Sequence, residues 1–227
     1  MILEKKKILF VHIEKTGGNS LAHVFKRYSD EKIFKHNGYS DGSETFEIQG
    51  KYTLSKHQNL ADYKKLLGPK ISEFKIITFV RNPLDRLISA YFMRDRSLHP
   101  NFFVRKINHF TKKKFNFFLF NHKFYKNKIP EFSLNNFKLF IKDFDNQTSY
   151  FKINKKFINP NYLLRFENYK YDLKKICKIY NIKFKHIHVN KSVKKKFTNN
   201  ELKTIEKLVF SSHHREDYNT FGYKKLI

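Results

Sequence analysis

The residues of this chain best equipped for chemistry stand in two short stretches. The first stretch is Lys15-Thr16-Gly17-Gly18-Asn19-Ser20, in which a lysine, two hydroxyls and a side-chain amide surround paired glycines. Glycine tolerates positive φ and lets backbone N–H groups approach an anion closely. A helix opening just after the pair adds roughly half a unit of positive charge at its N-terminus. The cluster therefore suits a phosphate or sulfate group, although strand, Gly-Gly turn and helix also occur in α/β proteins merely as a connection. Residue order narrows the chemistry. The Walker loop needs Gly-Lys-Ser/Thr after four free positions, whereas here the lysine precedes the glycines, which disfavours an ordinary ATPase or kinase.

The second stretch is Phe79-Val80-Arg81-Asn82-Pro83-Leu84-Asp85-Arg86-Leu87-Ile88-Ser89-Ala90-Tyr91. Arg81 leaves the end of an apolar run, and Ser89 follows about two helical turns later. A guanidinium fork and a neutral hydroxyl could hold one phosphate between them. Taken singly, the simpler account pairs Asp85 with one of the arginines and leaves Ser89 as an ordinary helical residue. His57 ends a weakly alternating segment, Lys51 to Lys56, that reads as a short strand. Its imidazole is the side chain whose unperturbed pKa lies nearest neutrality; a hydrogen-bonded structural histidine is the alternative.

The elements that must position these residues are legible as hydrophobic periodicity. Ile8 to Ile13 is a buried strand, and Leu21, Val24, Phe25 and Tyr28 mark an amphipathic helix opening near Ser20. A polar region from Ser29 to Gly50 reads as an exposed connection or irregular hairpin. Leu60, Tyr63, Leu66 and Leu67 form a helical face stopped by Gly68-Pro69. Phe74 to Val80 is a second buried strand, with a helix through Leu84, Leu87, Ile88, Tyr91 and Phe92. Two strand-loop-helix units with polar loops at the strand ends imply a parallel sheet with helices on its faces. Phe137, Phe140, Ile141 and Phe144 mark a further helix, and Tyr162-Leu163-Leu164-Arg165-Phe166 a third strand. Thr198 and Glu201 have capping-box spacing and open what reads as the last helix.

Length and composition bound the rest. At 227 residues the chain suits a single domain over 1–227 with a sizeable core. No run approaches the roughly 18 apolar residues of a membrane span. The first seven residues lack the apolar segment of a signal peptide, so a cytoplasmic location is expected. The lone cysteine, Cys177, excludes an internal disulfide and shares a helical face with Leu173, Ile176 and Tyr180, as a core thiol would. No cluster of carboxylates or histidines has ligand spacing, and no metal is expected; His213 and His214, read as neighbours on a helix, should diverge at the surface. The net charge of +27 attracts polyanions of any class. From Arg94 to Lys128 lysines alternate with phenylalanines, the pattern of solvated charge over core aromatics, or of a nucleic-acid stacking surface.

Phe10 to Leu21 resembles the 5′-phosphosulfate loop, and Phe79 to Tyr91 the 3′-phosphate motif, of the carbohydrate sulfotransferases related to heparan sulfate 2-O-sulfotransferase and their bacterial and viral relatives. Three further segments resemble the same family in order: Leu164-Arg165-Phe166-Glu167-Asn168, His188-Val189-Asn190-Lys191-Ser192, and Asp217-Tyr218-Asn219-Thr220-Phe221-Gly222-Tyr223. The resemblance implies an α/β, P-loop NTPase-like fold with a central parallel sheet flanked by helices. It implies sulfuryl transfer from 3′-phosphoadenosine 5′-phosphosulfate (PAPS), as co-substrate, to a carbohydrate hydroxyl. On that basis Lys15 contacts the phosphosulfate, with Thr16, Gly17, Gly18, Asn19 and Ser20 completing the cradle. Arg81 and Ser89 hold the 3′-phosphate, Ser192 joins the donor site, and His57 is the catalytic base. The basic surface favours an anionic glycan as partner over a specific nucleic acid, with Arg94, Arg96 and the lysines between Arg105 and Lys128 as contacts. Two positions depart from the family: Glu14 stands where proline is usual and Asn19 where threonine is usual. A carboxylate beside an anion site is expected to point away from it. A small-molecule kinase, a nucleic-acid-binding protein and a sulfotransferase-like protein without catalysis are the rival readings.

Overall fold

The computed structural model describes residues 1–36, 45–96, 132–184 and 196–225. Its centre is a four-stranded sheet of β1 (Ile2–Leu3), β2 (Ile8–Phe10), β5 (Lys75–Val80) and β8 (Tyr162–Arg165), in the order β1-β2-β5-β8. β2, β5 and β8 run parallel, with Leu9 opposite Ile76 and Phe79 opposite Leu164, while β1 closes the edge antiparallel. The expected parallel sheet is therefore present, with one antiparallel edge strand that two residues are too few to announce.

Side chains alternate across this sheet, as a pleated strand requires. Ile8, Phe10, Ile77, Phe79 and Leu164 face one side, where α1 (Gly18–Phe25) buries Leu21, Val24 and Phe25 and α5 (Tyr169–Ile179) buries Leu173, Ile176 and Cys177. Leu9, Val11, Ile76 and Val80 face the other, against Leu60, Tyr63 and Leu67 of α2 (Leu60–Leu67) and Phe221 of α7 (Arg215–Phe221). Strands apolar on both faces are what a helix-covered parallel sheet needs. Cys177 is the core thiol expected of it.

A third apolar cluster lies beyond the sheet. α3 (Pro83–Arg96), α4 (Leu134–Asp143) and α6 (Asn199–Phe210) bring together Leu84, Leu87, Tyr91, Phe137, Phe140, Ile205 and Val209. Tyr91 sits edge-on to Phe137 and Phe140, at 5.4 and 5.6 Å between centroids. Thr198 and Glu201 form the expected capping box on α6, but α7 follows it as the last helix. Two short hairpins, β3 (Lys32–His36) with β4 (Thr45–Gln49) and β6 (Lys152–Ile153) with β7 (Lys156–Phe157), complete the described elements.

Three local expectations are corrected. Residues 51–56 form bends, not a strand, because Thr53 turns inward to bond Glu31 and Tyr63. α1 begins at Gly18, two residues before Ser20. His213 and His214 lie in the turn between α6 and α7, with ring centroids only 4.2 Å apart. His214 is fully buried and its Nε2 bonds the Ile141 carbonyl at 3.1 Å. No helix among the described residues is long and apolar enough to cross a membrane.

Candidate active site

Parallel strands deliver their carboxyl ends to one edge of the sheet, where ligands of open α/β folds bind. Here the segments after β2, β5 and β8 meet. Phe10 is level with Ile77, and Val80 with Arg165, so residues 11–17, 81–82 and 166–168 emerge side by side.

The first of these segments is a tight turn. Lys15 and Gly17 both have positive φ, 64° and 85°, the second at the N-cap of α1. A side chain at Gly18 has no room, since a Cβ there would lie 2.1 Å from Cδ2 of His12. At Gly17 a Cβ would lie 2.7 Å from the Phe166 ring. The paired glycines are thus demanded by a histidine on one side and a phenylalanine on the other. Thr16 is buried and its hydroxyl donates to the Ile13 carbonyl at 3.0 Å, so that proton closes the turn instead of facing a ligand. Ser20 is buried on α1, and its hydroxyl interacts with the Tyr169 phenol, whose pKa burial raises to about 12. Asn19 is half-buried.

Arg81 is brought against this turn. Its Nη1 donates to the Lys15 carbonyl at 3.3 Å, and its guanidinium lies 4.3 Å from the centroid of the Phe166 ring. It is only 4% exposed, and its Nε, enclosed by protein, has no hydrogen-bond partner among the described residues. A buried donor without an acceptor is costly, and Arg81 bears that cost beside the turn. The guanidinium charge and the glycine-bearing turn together suit the phosphate groups of a nucleotide. Ser89 is buried on α3. Ser192, Arg105 and the lysines to 128 lie outside the described residues, as do the side chains of Arg94 and Arg96.

His57 reaches the same turn from the segment before α2. Its Nδ1 lies 3.0 Å from the His12 carbonyl oxygen, which only accepts, so Nδ1 carries the proton and Nε2 the lone pair. The rings of His12 and His57 are 4.6 Å apart. His12 is buried, stacks on Phe10, and is held far below the usual imidazole range chiefly by burial, with His57 and Lys56 opposing a second positive charge there. His57 is also lowered, chiefly by desolvation, with Lys56 and Arg86 adding to the effect and Glu14 opposing it. A depressed pKa leaves Nε2 unprotonated at neutral pH, the state that a base requires. Glu14, expected to point away from the anion site, turns its Oε1 to 3.8 Å from His57 Nε2.

Several residues that hold the site were not legible as such. Arg86 is completely buried and donates from Nε to the Glu14 carbonyl at 2.9 Å and from Nη1 to the Asp145 carbonyl at 2.8 Å. It pins the start of the turn, while the charge of Asp85 acts on Arg81. Gln147 closes both backbone groups of Arg81, accepting its N–H at 2.9 Å and donating to its C=O at 2.8 Å. Asp217, buried, accepts from the Gln147 and Thr148 amides at 2.8 and 2.9 Å. Glu167 accepts from the Asn82 amide at 2.7 Å and from the Tyr223 hydroxyl at 3.0 Å. Glutamine and aspartate so distant in sequence carry no periodic signal that could have revealed this. The clue available was order alone, since Glu167, Asp217 and Tyr223 all stand in segments of the family resemblance.

Among the described residues no three His, Cys, Asp or Glu side chains gather as metal ligands would. A family model described as the sulfotransferase family matches residues 1–221. No curated protein matches the chain. No solved structure matches it either.

Proposed function

The chain belongs to the sulfotransferase family, and from that premise we propose that it transfers a sulfuryl group from PAPS to a hydroxyl of a carbohydrate, with His57 as general base. The observation that carries this reading is the meeting of two groups at one turn. Arg81 brings its guanidinium to the turn, bonded to the Lys15 carbonyl and stacked on Phe166, and His57 brings an Nε2 freed by the bond from Nδ1 to the His12 carbonyl.

PAPS supplies the sulfuryl group and a phosphate as leaving group. Lys15 and the backbone amides of the Gly17-Gly18 turn offset the charge that grows on that phosphate, as preorganised donors do in phosphoryl transfer. Arg81 and Ser89 hold the 3′-phosphate, and Asn19 and Ser20 complete the cradle. His57 takes the hydroxyl proton at Nε2, a contribution typically worth a hundred- to ten-thousandfold. No metal enters this scheme. The net charge of +27 favours an anionic glycan as acceptor.

Calorimetric titration with 3′-phosphoadenosine 5′-phosphate, the desulfated donor, tests the reading. Micromolar binding to the wild type, lost in Arg81→Ala and not matched by ATP, is expected, followed by label transfer from radioactive PAPS to a glycan. Equal preference for ATP, or no binding, overturns it.

A further inference from the structure

The carboxylate of Glu14 belongs to the turn that the proposed donor occupies, yet it faces the base. Its Oε1 stands 3.8 Å from His57 Nε2, the nitrogen left unprotonated by the Nδ1 bond to the His12 carbonyl. The Glu14 backbone is not free to drift, because its carbonyl accepts from the buried Arg86 Nε at 2.9 Å. The two side chains are 34% and 31% exposed, open enough for a hydroxyl to reach Nε2 and enclosed enough for a charge to be felt.

We propose that Glu14 is a positioning residue for the base, acting through His57 by stabilising the imidazolium formed when Nε2 accepts a proton. This rests on the reading of His57 as the base for sulfuryl transfer. In the step itself the acceptor O–H bond breaks as its oxygen bonds sulfur. An N–H bond forms at Nε2, and the S–O bond to the leaving phosphate breaks with that oxygen keeping the electron pair. Glu14 takes no proton; its negative charge meets the positive charge appearing 3.8 Å away.

The other groups facing His57 make this partner necessary. Lys56 on its own segment and Arg86 from α3 are cations that oppose protonation, and His12 beneath it is a buried neutral ring. Without Glu14 the imidazolium would form against two positive charges in a partly desolvated site. An opposite charge at this range favours the charged form of a titrating group.

The test is histidine Cε1–Hε1 NMR titration of the full chain, with the His57 signal assigned by His57→Gln. In Glu14→Gln the His57 midpoint is expected to fall by about one pH unit, and in Glu14→Asp to return most of the way. In sulfation assays the acid limb of kcat/KM should move to lower pH in Glu14→Gln, because the base stays unprotonated further down. Its plateau should drop roughly threefold as the base weakens. A His57 midpoint that is unchanged or higher in Glu14→Gln overturns the proposal. Calorimetry with 3′-phosphoadenosine 5′-phosphate separates the two readings. Should that ligand fail to bind the wild type while the midpoint still shifts, the pairing stands and its role in sulfuryl transfer is refuted.

Discussion

Replacing Gly18 by alanine asks whether the turn is built around the His12 ring. The new Cβ would lie 2.1 Å from Cδ2, 2.4 Å from Nε2 and 3.0 Å from Cγ of that ring, so the ring must retreat by more than an ångström to reach ordinary contact. It has nowhere to go. One face stacks on Phe10 at 5.5 Å, the His57 ring stands at 4.6 Å, and the His12 carbonyl is bonded to His57 Nδ1. Overpacking of this kind costs about 1–3 kcal/mol. Against it stands the helix propensity of alanine over glycine, about 1 kcal/mol in a helix interior and less at the first residue of α1. The net expectation is a loss of about 1–2 kcal/mol in denaturant unfolding, with the m-value unchanged. Because the turn moves with the ring, affinity for 3′-phosphoadenosine 5′-phosphate should fall by roughly tenfold, the equivalent of about 1.4 kcal/mol. Gly68→Ala is the control. It has φ +56° and ψ −137° but nothing within 4 Å of its Cβ, so it should lose about 1–3 kcal/mol through the backbone alone and keep its affinity. A Gly18→Ala protein as stable as wild type, or more stable, with affinity intact would refute the reasoning.

Two further outcomes follow from the buried polar residues. Arg86→Met keeps the volume but removes the donors to the Glu14 and Asp145 carbonyls; a loss of about 2–4 kcal/mol is expected, together with weakened nucleotide binding, by denaturation and calorimetry. A stability change within about 0.5 kcal/mol would count against the pin. His214, fully buried, is pushed down to about 3 chiefly by burial, with Arg86 adding to the effect. Below the ordinary imidazole pKa the unfolded chain then binds a proton that the folded chain refuses, so stability falls with acidification. Between pH 7.5 and 5.5 this group alone should cost about 1.4 kcal/mol, and His214→Gln should flatten that slope. An identical slope in wild type and variant would show that His214 does not set it.

The fold was readable where period and punctuation were strong. Ile8 to Phe10 and Lys75–Val80 emerged from apolar runs bounded by polar loops, and α6 from its Thr198–Glu201 cap. Failures came where tertiary contacts override local signals. Residues 51–56 alternate weakly, but Thr53 is drawn inward by Glu31 and Tyr63 and the segment bends. His214, a polar residue beside another histidine, is buried because the Ile141 carbonyl at the far end of α4 needs a donor. Of the site residues, Lys15, Gly17, Gly18 and Arg81 were singled out by type and spacing and His57 by the family resemblance, and the structure brings Arg81 and His57 to the turn that holds the other three.

The sequence by itself determined the paired-glycine turn, the arginine at a strand end and the order of five segments that resemble the family, because glycine pairs, charge and periodicity are local properties of a chain. Only the tertiary structure decided which way each group faces. That Arg86 grips a carbonyl 72 positions away, that Gln147 and Asp217 clamp Arg81, and that Glu14 looks toward His57 all depend on residues far apart in the chain. Such pairings are selected by burial, where every polar group needs a partner, and burial is settled only once the whole chain has packed.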